Sequence, residues 1–301
     1  MAHRLTLALV DSANPFQQLL RADAEAAARR EGLSLETTFT GESFTAHLAV
    51  LRGLIGHPSR RPDVLIVMAV RDQGIEKVVR EAAAAGVHWL LLNAIEDDLD
   101  PVRRAFPAVA ISAVCPDELE TGRIQGQQML ALAGPGNRVL YLQGNPRSLT
   151  SRQRAEGMRQ ATTGSGIEVA VAGHDWDPAQ AARTVREWLR LGVSGRRPFH
   201  LVTGQNDAIA EAAREVLTTA ARESGREDLG RIPVTGCDGA PDAGLKAVRE
   251  GRLTATVVLP RCAGPAVEAA ARLLLRGQRP SPEIALRPES FPTLRELRPT
   301  A

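Results

Sequence analysis

The sequence predicts an α/β protein of two lobes, each built around a parallel sheet. Apolar runs of strand length alternate with amphipathic stretches of helix length, which is typical of parallel sheets with crossover helices. The run at 64–70 is almost wholly apolar, as expected of a strand covered on both faces. The alternation begins again after Cys115, and 301 residues suffice for two domains.

The first half of the chain predicts five strands joined by helices. The strands are expected at 5–10, 33–39, 64–70, 88–92 and 109–112. Pro15 suits the first position of a helix whose apolar face continues to Gly32, where the helix ends. A second helix is expected at 45–55. The turn of Arg71, Asp72 and Gln73 leads into a third helix that ends near residue 86.

The second half repeats this architecture without repeating the residues. A helix at 117–132 is followed by strands at 139–143, 168–172, 199–202, 232–236 and 255–259. Helices are expected after the polar turn 144–151, at 177–191 and from residue 207. A last helix, rich in Ala and Leu, fits a chain that crosses back. One lobe is therefore predicted at 1–113 with 261–284 and the other at 114–260 with 285–301, joined by a multi-strand hinge.

The composition is that of an ordinary globular protein, with 44% hydrophobic and 24% charged residues. A formal net charge of +2 gives no sign of a nucleic-acid partner. Cys115, Cys237 and Cys262 lack CxxC spacing and are expected to be small buried residues. No apolar run approaches the roughly 20 residues of a membrane helix. The start of the chain shows no export leader, which fits a cytoplasmic protein or a mature segment whose leader was removed.

Polar and aromatic residues follow the predicted strands, at the edge where open α/β sheets bind ligands. These candidates for ligand binding are Asn14, Phe16, Arg152, Trp176, Asn206 with Asp207, and Asp238. The clearest case is the stretch 199–217, because its strand, polar turn and amphipathic helix place Asn206 and Asp207 at the carboxyl end of the strand.

Most of these candidates also allow a purely structural role. Asn14 could serve only as the N-cap of its helix, and so could one of Asn206 and Asp207. Phe16 could pack beneath its own helix, and Trp176, which precedes a sequence of capping-box form, could be a hydrophobic staple. Asp238 could be a turn residue. The sequence leaves both roles open at each position.

Arg152 lies near the start of its predicted helix, where a cation opposes the helix dipole at a cost of roughly 0.3–1 kcal/mol. Acceptor atoms are expected to offset this cost, from a surface carboxylate or from ligand oxygens. Together, the candidates combine amide, guanidinium and carboxylate groups with two aromatic rings. Such a set suits a small neutral ligand rich in hydroxyl groups, such as a sugar.

Three motifs give the chain a family resemblance: Asn-Pro-Phe after the first strand, Gln-Asn-Asp before the central helix, and Gly-Cys-Asp-Gly after the next strand. The sequence resembles the type I periplasmic binding protein family, in the ribose-binding branch that shares its core with lactose-repressor-type regulators. The similarity covers nearly the whole chain. It implies a two-lobed protein that closes about a hinge on a monosaccharide held in the cleft. The first lobe would contribute Asn14 and Phe16, and the second would contribute Arg152, Trp176, Asn206 and Asp238.

The chain departs from the ribose binders at three positions. Met68 stands where they have Asn after the third strand, Asn93-Ala94 where they have Asp-Arg, and Leu259 where they have Gln. Met68 and Asn93 would then line the ligand with fewer polar groups from the first lobe. The resemblance therefore implies a ligand other than ribose, less hydroxylated or different in shape.

The resemblance favours a binding module that delivers its solute to an ABC permease. The alternative is a cytoplasmic ligand-sensing domain related to the sugar repressors. Either protein would need no cofactor, and we expect a monomer with an ABC permease or a signalling receptor as its partner.

Two other classes of protein are disfavoured. The first strand begins near Leu5, which leaves no room for the helix-turn-helix head of a transcription regulator. The GxxxxGK[ST], GxGxxG, HExxH and GxSxG patterns of enzymes are absent, and the six histidines lack ligand spacing. The acidic run of Glu96, Asp97, Asp98 and Asp100 could bind a cation but is expected to be a solvated loop, so no metal site is predicted.

Overall fold

The structure, a computed structural model, describes residues 3–71, 73–93, 98–193 and 199–297. It divides into two compact units. Unit 1 comprises Met1–Pro116 and Pro260–Leu286, and unit 2 comprises Asp117–Leu259 and Arg287–Ala301. The chain therefore passes between the units three times.

The described strands are β1 Arg4–Leu9, β2 Ser34–Phe39, β3 Val64–Met68, β4 His88–Leu92, β5 Ile111–Pro116, β6 Arg138–Gln143, β7 Glu168–Gly173, β8 Leu201–Gly204, β9 Val234–Asp238, β10 Ala255–Val258, β11 Glu283–Leu286 and β12 Glu289–Phe291. The helices are α1 Pro15–Glu31, α2 Phe44–Gly56, α3 Glu76–Ala84, α4 Asp100–Ala105, α5 Glu118–Leu132, α6 Leu149–Thr162, α7 Pro178–Val193, α8 Asp207–Ser224, α9 Glu227–Arg231, α10 Gly244–Arg249, α11 Ala263–Arg276 and α12 Leu294–Leu297.

Unit 1 is a parallel sheet in the order β11-β5-β4-β3-β1-β2 with helices on both faces. Its strands are apolar on both sides because each face is covered. In β3, Val64 and Ile66 pack with α1 and α11, whereas Leu65 and Val67 pack with α2 and α3. This alternation follows from the two-residue period of a strand. The prediction of two-sided burial is confirmed.

Unit 2 has the strand order β12-β10-β9-β8-β6-β7, and all its pairs are parallel except β10 with β12. Its helices α5 and α6 approach at glycines. A Cβ at Gly122 would lie 2.0 Å from the Arg154 carbonyl oxygen, and one at Gly157 would lie 1.9 Å from the Leu119 carbonyl oxygen. The close crossing brings α6 against α5, which positions the site described below.

Several predicted strand bounds are wrong. β5, β8 and β9 begin later along the chain than predicted, because the apolar residues Val109, Phe199 and Ile232 pack into the cores from loops. No strand was predicted after residue 259, but the structure has β11 and β12 there. Both are short strands at sheet edges, where flanking prolines are tolerated.

Among the described helices, none combines the length and the apolar character needed to cross a bilayer. Cys115, Cys237 and Cys262 are buried, as the sequence predicted. In the acidic run, Asp98 and Asp100 are exposed and Asp100 pairs with Arg103 at 2.7 Å, whereas Glu96 and Asp97 lie outside the described residues.

Candidate ligand-binding site

Backbone strain concentrates at the carboxyl ends of the strands. Four non-glycine residues in the described part of the chain have a positive φ: Asn93 (60°), Asp175 (44°), Trp176 (61°) and Asp238 (114°). Such conformations cost of order 1–3 kcal/mol each and cluster at functional sites. Asn93 follows β4, Trp176 follows β7 and Asp238 ends β9. The sequence had singled out all three as ligand-binding candidates.

In unit 1, Asn14 caps α1, because its side chain accepts a hydrogen bond from the backbone N–H of Gln17 at 3.2 Å. The bond uses the carbonyl oxygen of the amide and not its NH2 group. Phe16, the second residue of the helix, is 40% exposed. This exposure speaks against the alternative that Phe16 packs beneath its own helix, because a large part of the residue contacts solvent.

Met68 and Asn93 end or follow neighbouring strands of unit 1. The Met68 side chain is half-buried and packs against the core formed with α1 and α11. Asn93 is half-buried, and its backbone N–H donates to the Val114 carbonyl at 3.0 Å. Ala94, the second residue of the pair that replaces Asp-Arg of the ribose binders, lies outside the described residues. Unit 1 thus offers one apolar and one amide side chain at these two strand ends.

In unit 2, the buried Asp207 carboxylate fixes the loop that carries Asp238. Oδ1 accepts a hydrogen bond from the Thr256 hydroxyl at 2.7 Å, and Oδ2 accepts one from the Gly239 backbone N–H at 2.8 Å. Asp207 is only 4% exposed, so it has a structural role and not the ligand-binding role considered for it with Asn206. The side chain of Asp238, by contrast, is 47% exposed.

A buried guanidinium that the sequence analysis missed lies behind Asp238. Arg154 Nε and Nη2 donate to the two Glu118 carboxylate oxygens at 2.6 and 3.1 Å. Its Nη1 donates to the Gln205 carbonyl at 2.6 Å and lies 3.8 Å from Asp238 Oδ1. The guanidinium carbon also lies 5.9 Å from the centre of the Trp176 ring.

Arg152 and Arg154 lie on different faces of α6. The buried face of this helix holds Ser151, Arg154 and Met158, at the spacing of successive turns. Arg152 falls outside that spacing and is exposed. Its role in ligand binding stays a prediction.

Trp176 packs flat against the backbone of Gly144. A Cβ at Gly144 would lie 2.5 Å from the ring atoms, so only glycine fits beneath it. Trp176 is half-buried and packs against the unit 2 core. This apolar packing is the part of the hydrophobic-staple interpretation that the structure supports. The positive φ of Trp176 holds the ring in this place, next to the Arg154 guanidinium.

Asn206 caps α8, since its side chain accepts from the Ile209 backbone N–H at 2.8 Å. The preceding residue, Gln205, is buried and joins three elements. Its Oε1 accepts from the Gly144 N–H at 2.9 Å, and its Nε2 donates to the Tyr141 hydroxyl at 2.8 Å and to the Ser151 carbonyl at 2.9 Å. Asn206 is thereby held in place by the network that also fixes the turn under Trp176.

The carboxyl groups here have shifted pKa values. Burial raises the pKa of Asp207 to about 6, against the hydrogen bonds from Thr256 and Gly239. Desolvation raises the pKa of Asp238, Arg154 lowers it, and the carboxyls of Asp207 and Glu118 raise it. Because about half of the Asp238 side chain is in contact with water, solvation limits this rise.

The polar network around Arg154 could have been found only in part from the sequence. The i, i+3, i+7 spacing of Ser151, Arg154 and Met158 marks a buried face that includes an arginine, and a buried arginine needs a carboxylate. No local pattern identifies Glu118 or Gln205 as its partners, because they lie on other elements. Within the described residues, no group of three or more His, Cys, Asp or Glu side chains could hold a metal ion.

Residues 5–277 match the family model described as periplasmic binding protein domain. The ribose import binding protein RbsB of Escherichia coli (strain K12) is 28% identical over 278 residues, which cover 91% of this chain and 86% of that protein. The ribose import binding protein of Haemophilus influenzae is 23% identical over 285 residues, which cover 93% of this chain and 88% of that protein.

Solved structures share the fold. An ABC transporter periplasmic solute binding protein from Actinobacillus succinogenes 130z, with bound D-allose, aligns with a TM-score of 0.77 at 19% identity over 96% of each chain. The myo-inositol binding protein of Caulobacter, bound to myo-inositol, aligns with a TM-score of 0.75 at 18% identity over 98% of this chain and 94% of that one. These matches confirm the predicted α/β fold with mostly parallel sheets. Since the family model spans residues 5–277, the chain belongs to the type I periplasmic binding protein family.

Proposed function

We propose that this protein is the solute-binding component of an ABC transporter and that it binds a small sugar or cyclic polyol. The main support is the group of side chains at the strand ends of unit 2. The exposed carboxylate of Asp238 belongs to this group, which is braced from behind by the buried pair of Arg154 and Glu118. The other members are Trp176 and Asn206, and we propose that Arg152, exposed in the first turn of α6, binds the same ligand.

The chemistry of this group matches a polyhydroxylated ligand. A carboxylate accepts hydrogen bonds from two neighbouring hydroxyl groups, and a guanidinium and an amide NH2 donate to hydroxyl or ring oxygens. The Trp176 ring can cover a face of C–H groups, which a sugar ring and a cyclic polyol both have. On binding, the hydroxyl groups of such a ligand would exchange their hydrogen bonds to water for hydrogen bonds to these side chains.

Unit 1 supports a ligand with an apolar side. The exposed ring of Phe16 and the half-buried Met68 both lie at or near the carboxyl ends of unit 1 strands. Asn14 and Asn93 are the amide groups there. With so few hydrogen-bonding groups, we propose that the preferred ligand is less hydroxylated than ribose, such as a deoxy sugar, or differs from ribose in the shape of its ring. That the candidates of both units bind one ligand stays a prediction.

We also propose that the protein acts as a monomer that delivers its solute to an ABC permease. The curated relatives are named import binding proteins, and the solved relatives include ABC transporter solute binding proteins. Both descriptions are of transport proteins and neither is of an enzyme. They favour transport over the alternative of a cytoplasmic sensing domain.

A thermal-shift screen tests the proposal. The panel comprises D-ribose, D-allose, L-arabinose, D-fructose, a deoxy sugar and myo-inositol. A ligand at 100 times its Kd adds about 2.7 kcal/mol to the apparent stability, which raises the melting temperature by several degrees. We expect at least one compound to do so with the wild-type protein and not with Asp238→Asn. An equal rise in the variant, or no rise with any compound, would contradict the proposal.

A further inference from the structure

Arg154 contacts every element that carries a candidate ligand residue in unit 2. It lies on α6 with Arg152, its guanidinium lies 5.9 Å from the Trp176 ring, and it donates to the carbonyl of Gln205, the residue before Asn206. It also lies 3.8 Å from the carboxylate of Asp238. One side chain therefore links the four places from which the ligand would be bound.

Arg154 itself is in no position to bind the ligand. The residue is 4% exposed, and its donors are directed to protein acceptors. Nε and Nη2 bond to Glu118, and Nη1 bonds to the Gln205 carbonyl. Any influence of Arg154 on a bound solute must therefore act through the residues around it.

The charges around Asp238 show what that influence is. The groups that face its carboxylate are the Arg154 guanidinium from α6, the Glu118 carboxyl from α5, and the Asp207 carboxyl and backbone N–H at the start of α8. Cys237, on the same strand, is buried with a raised thiol pKa and carries no charge near neutrality. Arg154 is the cation in this set, and Glu118 already forms a bidentate pair with it. Without Arg154, Asp238 would face two carboxyl groups and no cation.

We propose that Arg154 is the positioning residue of the solute site: it keeps Asp238 ionised and oriented as a hydrogen-bond acceptor, and so sets the pH below which solute affinity falls. The proposal rests on the proposed function in one respect, namely that a solute hydroxyl donates to Asp238. A carboxylate can accept two such bonds only while it is ionised. The affinity should then fall by about tenfold for each pH unit below the titration midpoint of Asp238.

The first experiment needs no ligand. The carboxyl carbon of Asp238 is titrated by NMR in the free protein, with its signal assigned from Asp238→Asn. We expect the titration midpoint to rise by about one pH unit or more in Arg154→Gln, because an opposite charge within about 4–6 Å lowers a carboxyl pKa by 1–3 units. Arg159→Gln is the matched control. Arg159 is an exposed arginine on the same helix that pairs with Glu156, and its loss should leave the midpoint unchanged.

A second variant covers the case in which Arg154→Gln does not fold. That substitution leaves the Glu118 carboxylate buried without its partner, which is strongly destabilising. The double variant Glu118→Gln/Arg154→Gln removes both charges and keeps two amides in their place. Arg154 affects the pKa of Asp238 more than Glu118 does, so the midpoint should still rise, by less than in the single variant. A midpoint equal to that of the wild type in whichever variant folds would overturn the proposal.

The second experiment measures binding. Calorimetry between pH 5 and 8 uses whichever of D-ribose, D-allose and myo-inositol binds most tightly. We expect the pH profile of affinity in the double variant to move to higher pH by the same amount as the NMR midpoint. A wild-type affinity that is flat across the NMR midpoint would overturn the link to binding. If none of the three compounds binds, the proposed function fails for them, and the NMR titration alone decides whether Arg154 sets the ionisation of Asp238.

Discussion

The carboxylate of Asp207 occupies the space beside Gly244, where a Cβ would lie 1.9 Å from Oδ2. On the other side, a Cβ at Gly236 would lie 2.2 Å from Oδ1. These two glycines make room for a buried carboxylate that binds the Thr256 hydroxyl and the Gly239 N–H. Because Gly239 follows Asp238, this packing sets where the candidate ligand carboxylate stands.

The first prediction concerns this packing. Gly244→Ala should displace Asp207 and lower the free energy of unfolding by about 1–3 kcal/mol, the usual cost of overpacking a well-packed core. Urea denaturation followed by circular dichroism measures the change. Gly53→Ala is the matched control, because Gly53 is an exposed helical glycine with open space where its Cβ would be. That substitution should raise the stability by up to about 1 kcal/mol. Similar changes in the free energy of unfolding of both variants would show that the position of the Asp207 carboxylate does not require a glycine at 244.

The second prediction concerns the pH dependence of stability. The pKa of Asp207 is about 6 in the folded protein, against an ordinary value of 3.8. Between these values the folded state binds more protons at this group than the unfolded state, so its contribution to the free energy of unfolding falls as the pH rises. The full shift corresponds to roughly 3 kcal/mol.

Asp207→Asn removes this titrating group. We therefore expect the slope of the free energy of unfolding against pH, between about pH 4 and 6, to be more positive in the variant than in the wild type. Urea denaturation at several pH values in this range measures both slopes. Parallel slopes would mean that Asp207 titrates near its ordinary pKa in the folded protein.

The third prediction concerns Arg214, whose guanidinium holds three backbone carbonyls. Nε donates to Arg252 at 2.8 Å, Nη1 to Gly230 at 2.9 Å and Nη2 to Ile232 at 2.7 Å. An ammonium group cannot reproduce this planar arrangement. Arg214→Lys should therefore cost about 1 kcal/mol or more of stability, because partly buried acceptors would be left without a donor.

The exposed Arg222 on the same helix provides the control for Arg214. Arg222→Lys should change the stability by less than about 0.5 kcal/mol, as is usual at the surface. Chemical denaturation of the two variants side by side gives the comparison. Equal stabilities of Arg214→Lys and Arg222→Lys would show that the three carbonyl contacts contribute nothing.

The alternation of strands and helices could be predicted from the sequence because each element carries its own local signal. Pro15 and Gly32 mark the ends of α1 as predicted, and Gly32 adopts the left-handed conformation that ends a helix. β11 and β12 could not be predicted in this way. They are strands because an edge of a sheet offers them hydrogen bonds, and this depends on residues far along the chain.

The candidate site shows the same limit. Asp238 and Trp176 could be singled out because each follows a predicted strand in the sequence, although their positive φ angles are visible only in the structure. Asp207 could not be separated from Asn206 by sequence, since both are good capping residues. Arg154 was missed beside Arg152, because the burial of one and the exposure of the other depend on which face of α6 meets α5.

Isothermal titration calorimetry with the tightest-binding compound of the screen tests the central claim most directly. Asp238→Asn and Arg152→Gln should each weaken binding by at least about 30-fold, because loss of a charged partner in a buried contact costs 2–5 kcal/mol. Asp242→Asn, an exposed carboxylate in the same loop, should bind as the wild type does. Urea denaturation should show that all three variants are folded. Wild-type affinity in both Asp238→Asn and Arg152→Gln would contradict the account.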